Sequence, residues 1–254
     1  MKQTIKSSKV LLFLVLSITS LQAQVMVIGH RGAKGHLPEN TLPSIQKAIE
    51  LGVDAVEIDV FRCKTGEIVV FHDDTVDKLT DGNGAIENMT LTEIQALKVL
   101  EKGRIPTLEA VMRLIKGRVL LNIELKGRQT AEGTHALIEK MLTSHLWTAD
   151  RFIISSFDWE ELSIFRKISP DMALAVLTDK DPLQALDFAW AVQAIAINPN
   201  YTDLNEEKVR KIHKAGFKVY PWTVNQPAAI KRMIELGVDG IFSDFPERIL
   251  QKTP

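Results

Sequence analysis

Covalent reinforcement is scarce in this sequence: Cys63 is the only cysteine among 254 residues. No disulfide can close within one chain, so stability must come from a packed core in any redox compartment. Cys63 is expected to be a buried structural residue rather than a nucleophile. An excess of one charge is missing as well, since 31 Lys and Arg face 32 Asp and Glu for a formal net charge of −1. That balance provides no basic footprint for nucleic acid, so an anionic partner would have to be held by a local site. Long hydrophobic runs are also absent. The apolar stretch from Val10 to Leu16 falls well short of the about 20 residues that cross a bilayer.

That stretch has the flanks of a secretory signal. Lys2, Lys6 and Lys9 precede it, and small and polar residues follow up to Ala23, which reads as the position before a cleavage site. Residues 1–23 are thus expected to be removed and 24–254 to form one barrel domain, exported to the periplasm or secreted. An uncleaved anchor is the alternative. No cysteine follows the apolar run, which argues against a lipid anchor at the cut. Three lysines and no acid leave with the segment, taking the formal charge from −1 to −4.

Beyond it, short β-branched runs alternate with longer amphipathic stretches. Strand candidates are Val25–Gly29, Ala55–Val60, Ile68–Phe71, Val119–Leu125, Phe152–Ser156, Ala173–Leu177, Ala194–Asn198, Lys218–Thr223 and Gly240–Ser243. Several are nearly continuous hydrophobic runs, as parallel strands buried on both faces require. Between the second and third, Arg62 to Glu67 is too short for a parallel crossover, and Lys64-Thr65-Gly66-Glu67 has turn chemistry. The third strand is therefore expected to return antiparallel as a hairpin at the C-terminal face, leaving eight parallel strands. The expected fold is α/β, a single (β/α)8 barrel. Ile49-Glu50-Leu51-Gly52-Val53-Asp54 recurs as Ile234-Glu235-Leu236-Gly237-Val238-Asp239. In both copies a glycine is expected to end a helix just before a strand.

Charged residues gather where these strands end. His30 and Arg31 follow the first, Glu57 and Asp59 lie near the end of the second, His72 and Asp73 end the hairpin strand, and Glu124 and Lys126 end the next. Barrel enzymes build their sites at this face. Glu57 and Asp59 are two apart on a strand and point to one side, while Val56, Ile58 and Val60 point to the other. Three inward carboxylates repel one another and need positive charge between them. A divalent cation suits such oxygen ligands, and a metal-free ion-pair cluster with Arg31 and Lys126 is the other reading. His30 and His72 offer a proton acceptor and donor. His36, His135, His145 and His213 fall in loops or helices and are not expected to act. Arg31 and Lys126 are candidates to hold a phosphate. Trp222 either walls a substrate pocket or packs in the core, and Asn225 is a candidate hydrogen-bond partner for substrate. The set suits cleavage of an anionic ester.

In order along the chain, the segments His30-Arg31-Gly32…Pro38-Glu39-Asn40-Thr41, Val56-Glu57-Ile58-Asp59-Val60, Val70-Phe71-His72-Asp73, Asn122-Ile123-Glu124-Leu125-Lys126, Trp222-Thr223-Val224-Asn225 and Gly240-Ile241-Phe242-Ser243-Asp244 resemble the signature of the glycerophosphodiester phosphodiesterases, a family of the phospholipase-C-like phosphodiesterase superfamily. The resemblance spans residues 24–254. It implies Glu57, Asp59 and Glu124 as ligands of one Ca2+ or Mg2+, His30 and His72 as the acid–base pair, and Arg31, Lys126 and Trp222 around the substrate. Glu39 matches too, either orienting His30 or approaching the metal. Lys34 departs from the pattern, which commonly has a small residue there, and Lys78-Leu79 replaces the usual Arg-Thr. The stretch from Asp73 to Glu124 is short beside members with a large insertion, which argues against a simple substrate cap.

The implied reaction splits a small glycerophosphodiester into glycerol 3-phosphate and an alcohol, with attack by the substrate's own 2-hydroxyl as one route. No nucleic-acid partner and no stable membrane span are expected. Rival readings are a lyase or lysophospholipase D acting on lysolipids or sphingolipids at the same site, a metal-dependent sugar isomerase, and a catalytically inactive binding barrel. The isomerase has no need of Arg31 and Lys126. A dead barrel would be expected to have lost one of the two histidines or three carboxylates.

Overall fold

The computed structural model describes residues 25–100 and 103–250; the expected signal segment, residues 1–23, lies outside them. Nine strands form one sheet: β1 (Met26–Gly29), β2 (Ala55–Arg62), β3 (Ile68–Val70), β4 (Leu120–Leu125), β5 (Phe152–Ser156), β6 (Leu174–Thr178), β7 (Ala196–Pro199), β8 (Lys218–Val219) and β9 (Gly240–Ser243). Eight are parallel, in the order β8-β7-β6-β5-β4-β2-β1-β9. Backbone hydrogen bonds from Asp239 to Val219, from Phe242 to Pro221 and from Val224 to Phe242, of 2.8–3.0 Å, join the two ends of that order. These bonds bring the two ends of the sheet together, so that the eight strands form a nearly closed barrel. β3 pairs antiparallel with the last residues of β2, Val60 opposite Val70 and Arg62 opposite Ile68.

Several strand ends fall a residue or two from the sequence reading, and two of the differences have local reasons. β2 runs two residues further, to Arg62, because β3 supplies a partner beyond the barrel rim. β8 is shorter than Lys218–Thr223 because Pro221 has no N–H to give to the ladder. Tyr220 and Trp222 still donate to Ile197 and Pro199, so the segment keeps its place beside β7.

The apolar residues sort into three clusters. One lies between strands and outer helices and holds Val56, Ile58, Val60, Leu121 and Ile123. A second fills the barrel floor with Ile28, Ala55, Ile153, Tyr220 and Phe242. The third gathers Phe61, Cys63, Phe71, Val76, Ile86 and Ile94 under the segment after β3, so the short stretch from Asp73 to Glu124 has a small core of its own beside the barrel mouth. Cys63 is buried in it, as expected. Gly52 and Gly237 both have positive φ, +85° and +75°, after helices Leu42–Glu50 and Pro227–Glu235. The repeated helix–Gly–strand joint is thus a repeated left-handed cap.

Candidate active site

The site is built on the register of two neighbouring strands. Glu57 pairs with Asn122 and Asp59 with Glu124 across β2 and β4, so four polar side chains enter the barrel in two adjoining layers. One carboxylate oxygen from each of Glu57, Asp59 and Glu124 lies within 4.8 Å of the others, and all three residues are buried. Glu57 Oε1 has no hydrogen-bond partner. Glu124 Oε1, although 3.2 Å from Lys126 Nζ, makes no well-aligned hydrogen bond. Burial, then repulsion from Asp59 and Glu124, raises the Glu57 carboxyl well above its ordinary range. Burial and Asp59 push Glu124 up to about 8, although Lys126 and Arg31 pull it back. Buried, mutually repelling oxygen donors with free lone pairs fit a hard divalent cation such as Ca2+ or Mg2+.

Asn40 fixes the third carboxylate. Its amide donates to Asp59 Oδ2 at 2.8 Å, and its carbonyl oxygen accepts from the Asp59 backbone N–H at 3.3 Å. The residue sits at φ +57°, a conformation asparagine tolerates better than most residues. Thr41 then caps helix Leu42–Glu50 by accepting from Ser44 N–H. The Pro-Glu-Asn-Thr run is therefore a loop-to-helix device that clamps one carboxylate of the triad.

The histidines are each held through Nδ1 by an aspartate. His30 Nδ1 lies 2.6 Å from Asp244 Oδ1, and His72 Nδ1 lies 2.5 Å from Asp73 Oδ1. Burial draws the His30 pKa below the ordinary histidine value, with the Asp244 hydrogen bond opposing it. Asp244 in turn accepts from the Asn225 side chain at 2.7 Å, while Asn225 Oδ1 accepts from the Asp244 backbone N–H and from the Ser243 hydroxyl. Asn225 is thus occupied within the protein rather than offered to substrate. Glu39 does not orient His30 and does not join the carboxylate triad. It binds Arg31 Nη1 at 2.6 Å and Lys34 Nζ at 2.9 Å, and those two cations hold its carboxyl below the usual range although burial opposes them.

Arg31 crosses the site. Its Nε is 3.3 Å from Asp59 Oδ2, and its backbone N–H donates to Glu57 Oε2 at 2.8 Å. Lys126 Nζ stands between Glu124 Oε1 and His72 Nε2, 3.2 Å and 3.4 Å away. A cavity of about 140 Å³ is lined by His30, Arg31, Glu57, His72, Glu124 and Trp222. Seven of the eight residues singled out in the sequence border it or, with Asp59, form its triad; Lys126 stands beside it on Glu124. Trp222 faces the cavity while its Nε1 donates to the Asn198 carbonyl, so one side chain serves wall and packing together.

The chain matches the family model described as "Glycerophosphoryl diester phosphodiesterase family" over residues 30–248. It belongs to that family. It is 37% identical over 236 residues to a glycerophosphodiester phosphodiesterase of Caldanaerobacter subterraneus subsp. tengcongensis, covering 89% of this chain and 97% of that one. A glycerophosphodiester phosphodiesterase of Bacillus altitudinis is 33% identical, with 89% and 96% covered. Among solved structures, an Oleispira antarctica phosphodiesterase in complex with its product sn-glycerol-3-phosphate superposes with a TM-score of 0.82 at 31% identity, covering 89% of this chain and 95% of that one. The phosphodiesterase family thus accounts for the barrel and for the acidic cluster within it.

Asp244, Asp73 and Asn40 are the functional neighbours that sequence reasoning left without a role. The signal for Asp244 was its place directly after β9, since charged residues at barrel strand ends face the site.

Proposed function

We propose that the protein is a metal-dependent phosphodiesterase that hydrolyses glycerophosphodiesters to glycerol 3-phosphate and an alcohol. The observation that favours this reading most is one cavity with three buried carboxylates on one side and two aspartate-held histidines on the other. Glu57, Asp59 and Glu124 would hold the cation, which when bound would polarise a phosphoryl oxygen and neutralise developing charge. Ca2+ and Mg2+ both suit the donor set.

The chain's own groups then divide the work. Arg31 and Lys126 place positive charge beside the phosphate, and Arg31 is held still by Glu39. His30, whose pKa burial lowers and whose Nδ1–H donates to Asp244, is the base. It accepts the proton of the attacking hydroxyl, either water or the glycerol 2-hydroxyl, as the new oxygen–phosphorus bond forms. His72 in its protonated form is the acid. It donates to the departing oxygen as the phosphorus–oxygen bond to the alcohol breaks. If the 2-hydroxyl attacks, water opens the resulting cyclic phosphate with the two roles reversed.

Whole lysolipid or sphingolipid as substrate is not favoured, because the Caldanaerobacter and Bacillus relatives are glycerophosphodiester phosphodiesterases and the Oleispira phosphodiesterase is seen with glycerol 3-phosphate. Export to the periplasm or medium is proposed on the signal-like residues 1–23 alone, and fractionation of expressing cells tests it.

His30→Ala and Glu57→Ala are expected to lower turnover of glycerophosphocholine by at least about 100-fold, with unchanged circular dichroism. Near-native activity of either variant, prepared free of host enzyme, refutes the assignment.

A further inference from the structure

Beside the catalytic cavity lies a second and larger space that the roles above leave unused. The inner cavity of about 140 Å³ shares Phe157, Leu177 and Trp222 with a groove of about 630 Å³ that Lys126 also lines. Lys126 therefore stands at the junction, where a phosphate between the two spaces would lie. An inner fragment the size of glycerol phosphate leaves the outer groove for the departing alcohol.

The groove's chemistry is uneven. Three aromatic rings wall it: Phe157, Trp159 and Trp222. Each is fixed. Trp159 stacks on Phe188 at 4.7 Å and donates its Nε1 proton to the Leu177 carbonyl, and Phe157 meets Trp222 edge to face at 5.4 Å. Phe157 already has a cation near it, with Lys126 Nζ 6.0 Å from its ring centroid. Asp179 and Lys180, directly after β6, also line the groove, and neither side chain makes an ion pair among the described residues. Lys126 is engaged by Glu124, so beyond the phosphate the groove offers one free carboxylate, one free ammonium and fixed aromatic faces. Aromatic faces attract cations and repel anions, which breaks the tie between Asp179 and Lys180.

Resting on the phosphodiesterase reading, we propose that this groove is the leaving-group subsite and that it selects alcohols bearing an ammonium group. The ammonium lies against the aromatic wall with Asp179 as its counter-charge. Asp179 is a specificity-determining residue, outside the catalytic machinery, and Lys180 works against it.

The test uses binding before turnover. The full protein, labelled with 15N, is titrated with choline and separately with 3,3-dimethylbutan-1-ol, which has the same shape without the charge. Choline is expected to shift the indole signals of Trp159 and Trp222 and to leave that of Trp190, which is exposed elsewhere, in place. Asp179→Asn should weaken choline about three- to fivefold and Lys180→Gln should strengthen it, with the uncharged analogue indifferent to both. In turnover, Asp179→Asn should lower kcat/KM for glycerophosphocholine by a similar factor and leave glycerophosphoglycerol unchanged.

Equal binding of the uncharged analogue, or no response of choline to either substitution, overturns the proposal, as does choline leaving the Trp159 and Trp222 signals unmoved. Charge-dependent choline binding in a protein that turns over no glycerophosphodiester sinks the phosphodiesterase reading instead and leaves the cation-binding groove standing.

Discussion

A histidine can act as a base only while its free nitrogen is the right one, and here an aspartate decides which. The Asp244 carboxylate holds the Nδ1 proton of His30, and Asn225 holds Asp244, so Nε2 is left with the lone pair. Asp244→Asn removes that preference while keeping the shape. It is expected to lower kcat about 10- to 1,000-fold with little change in KM, and to move the acidic limb of the pH–rate profile. A KM effect alone, with kcat and profile unchanged, contradicts this role.

The carboxylate cluster makes a second residue-scale prediction. An unfolded glutamate titrates at about 4.3, whereas burial and the neighbouring carboxylates push Glu124 up to about 8 in the fold and raise Glu57 well above its ordinary range. Across that window the native protein keeps protons that the unfolded chain has released, so metal-free stability falls as pH rises. A bound cation takes the place of those protons. Thermal unfolding with EDTA should therefore show Tm declining from about pH 5 to about pH 8, and the gain from added Mg2+ or Ca2+ should widen over the same interval. A gain that is flat or shrinks with pH contradicts the cation site.

At the scale of elements, parallel register does most of the positioning. Asp59 opposite Glu124 follows from β2 lying beside β4, and a one-residue slip would turn Glu57 and Asp59 into the apolar layer behind the sheet. That much was legible in the sequence, because two-residue spacing on a strand fixes a common face. The partner of His30 was not, because β1 meets β9 only once the barrel closes, 214 residues along the chain. Helix capping shows the same limit. Helix Thr130–Leu142 begins after Gln129 with no cap from its own N-terminal side chain. Instead, buried Glu161 of helix Trp159–Ile168 accepts from the backbone N–H groups of Gln129 and Ala131. Glu161→Ala is expected to cost about 2 kcal/mol in denaturant unfolding while kcat stays unchanged. A loss under about 0.5 kcal/mol would show that water replaces the cap.

For the whole molecule, the alternation of strand and helix specified the barrel, and the clustering of charge at strand ends specified its active face. What the sequence did not reveal was depth: which polar groups are buried without a partner, and where one cavity runs into another. Those depend on closure of the barrel and on the segment after β3, which packs its own core at the mouth. Turnover as proposed needs a cation and two histidines in one small cavity. The measurement that tests it most directly is release of glycerol 3-phosphate from glycerophosphocholine by the purified protein, with EDTA and then with Mg2+ or Ca2+ restored. A cation-dependent reaction should lose release with EDTA and recover it with the metal. Full activity in excess EDTA, or none with either metal, contradicts it.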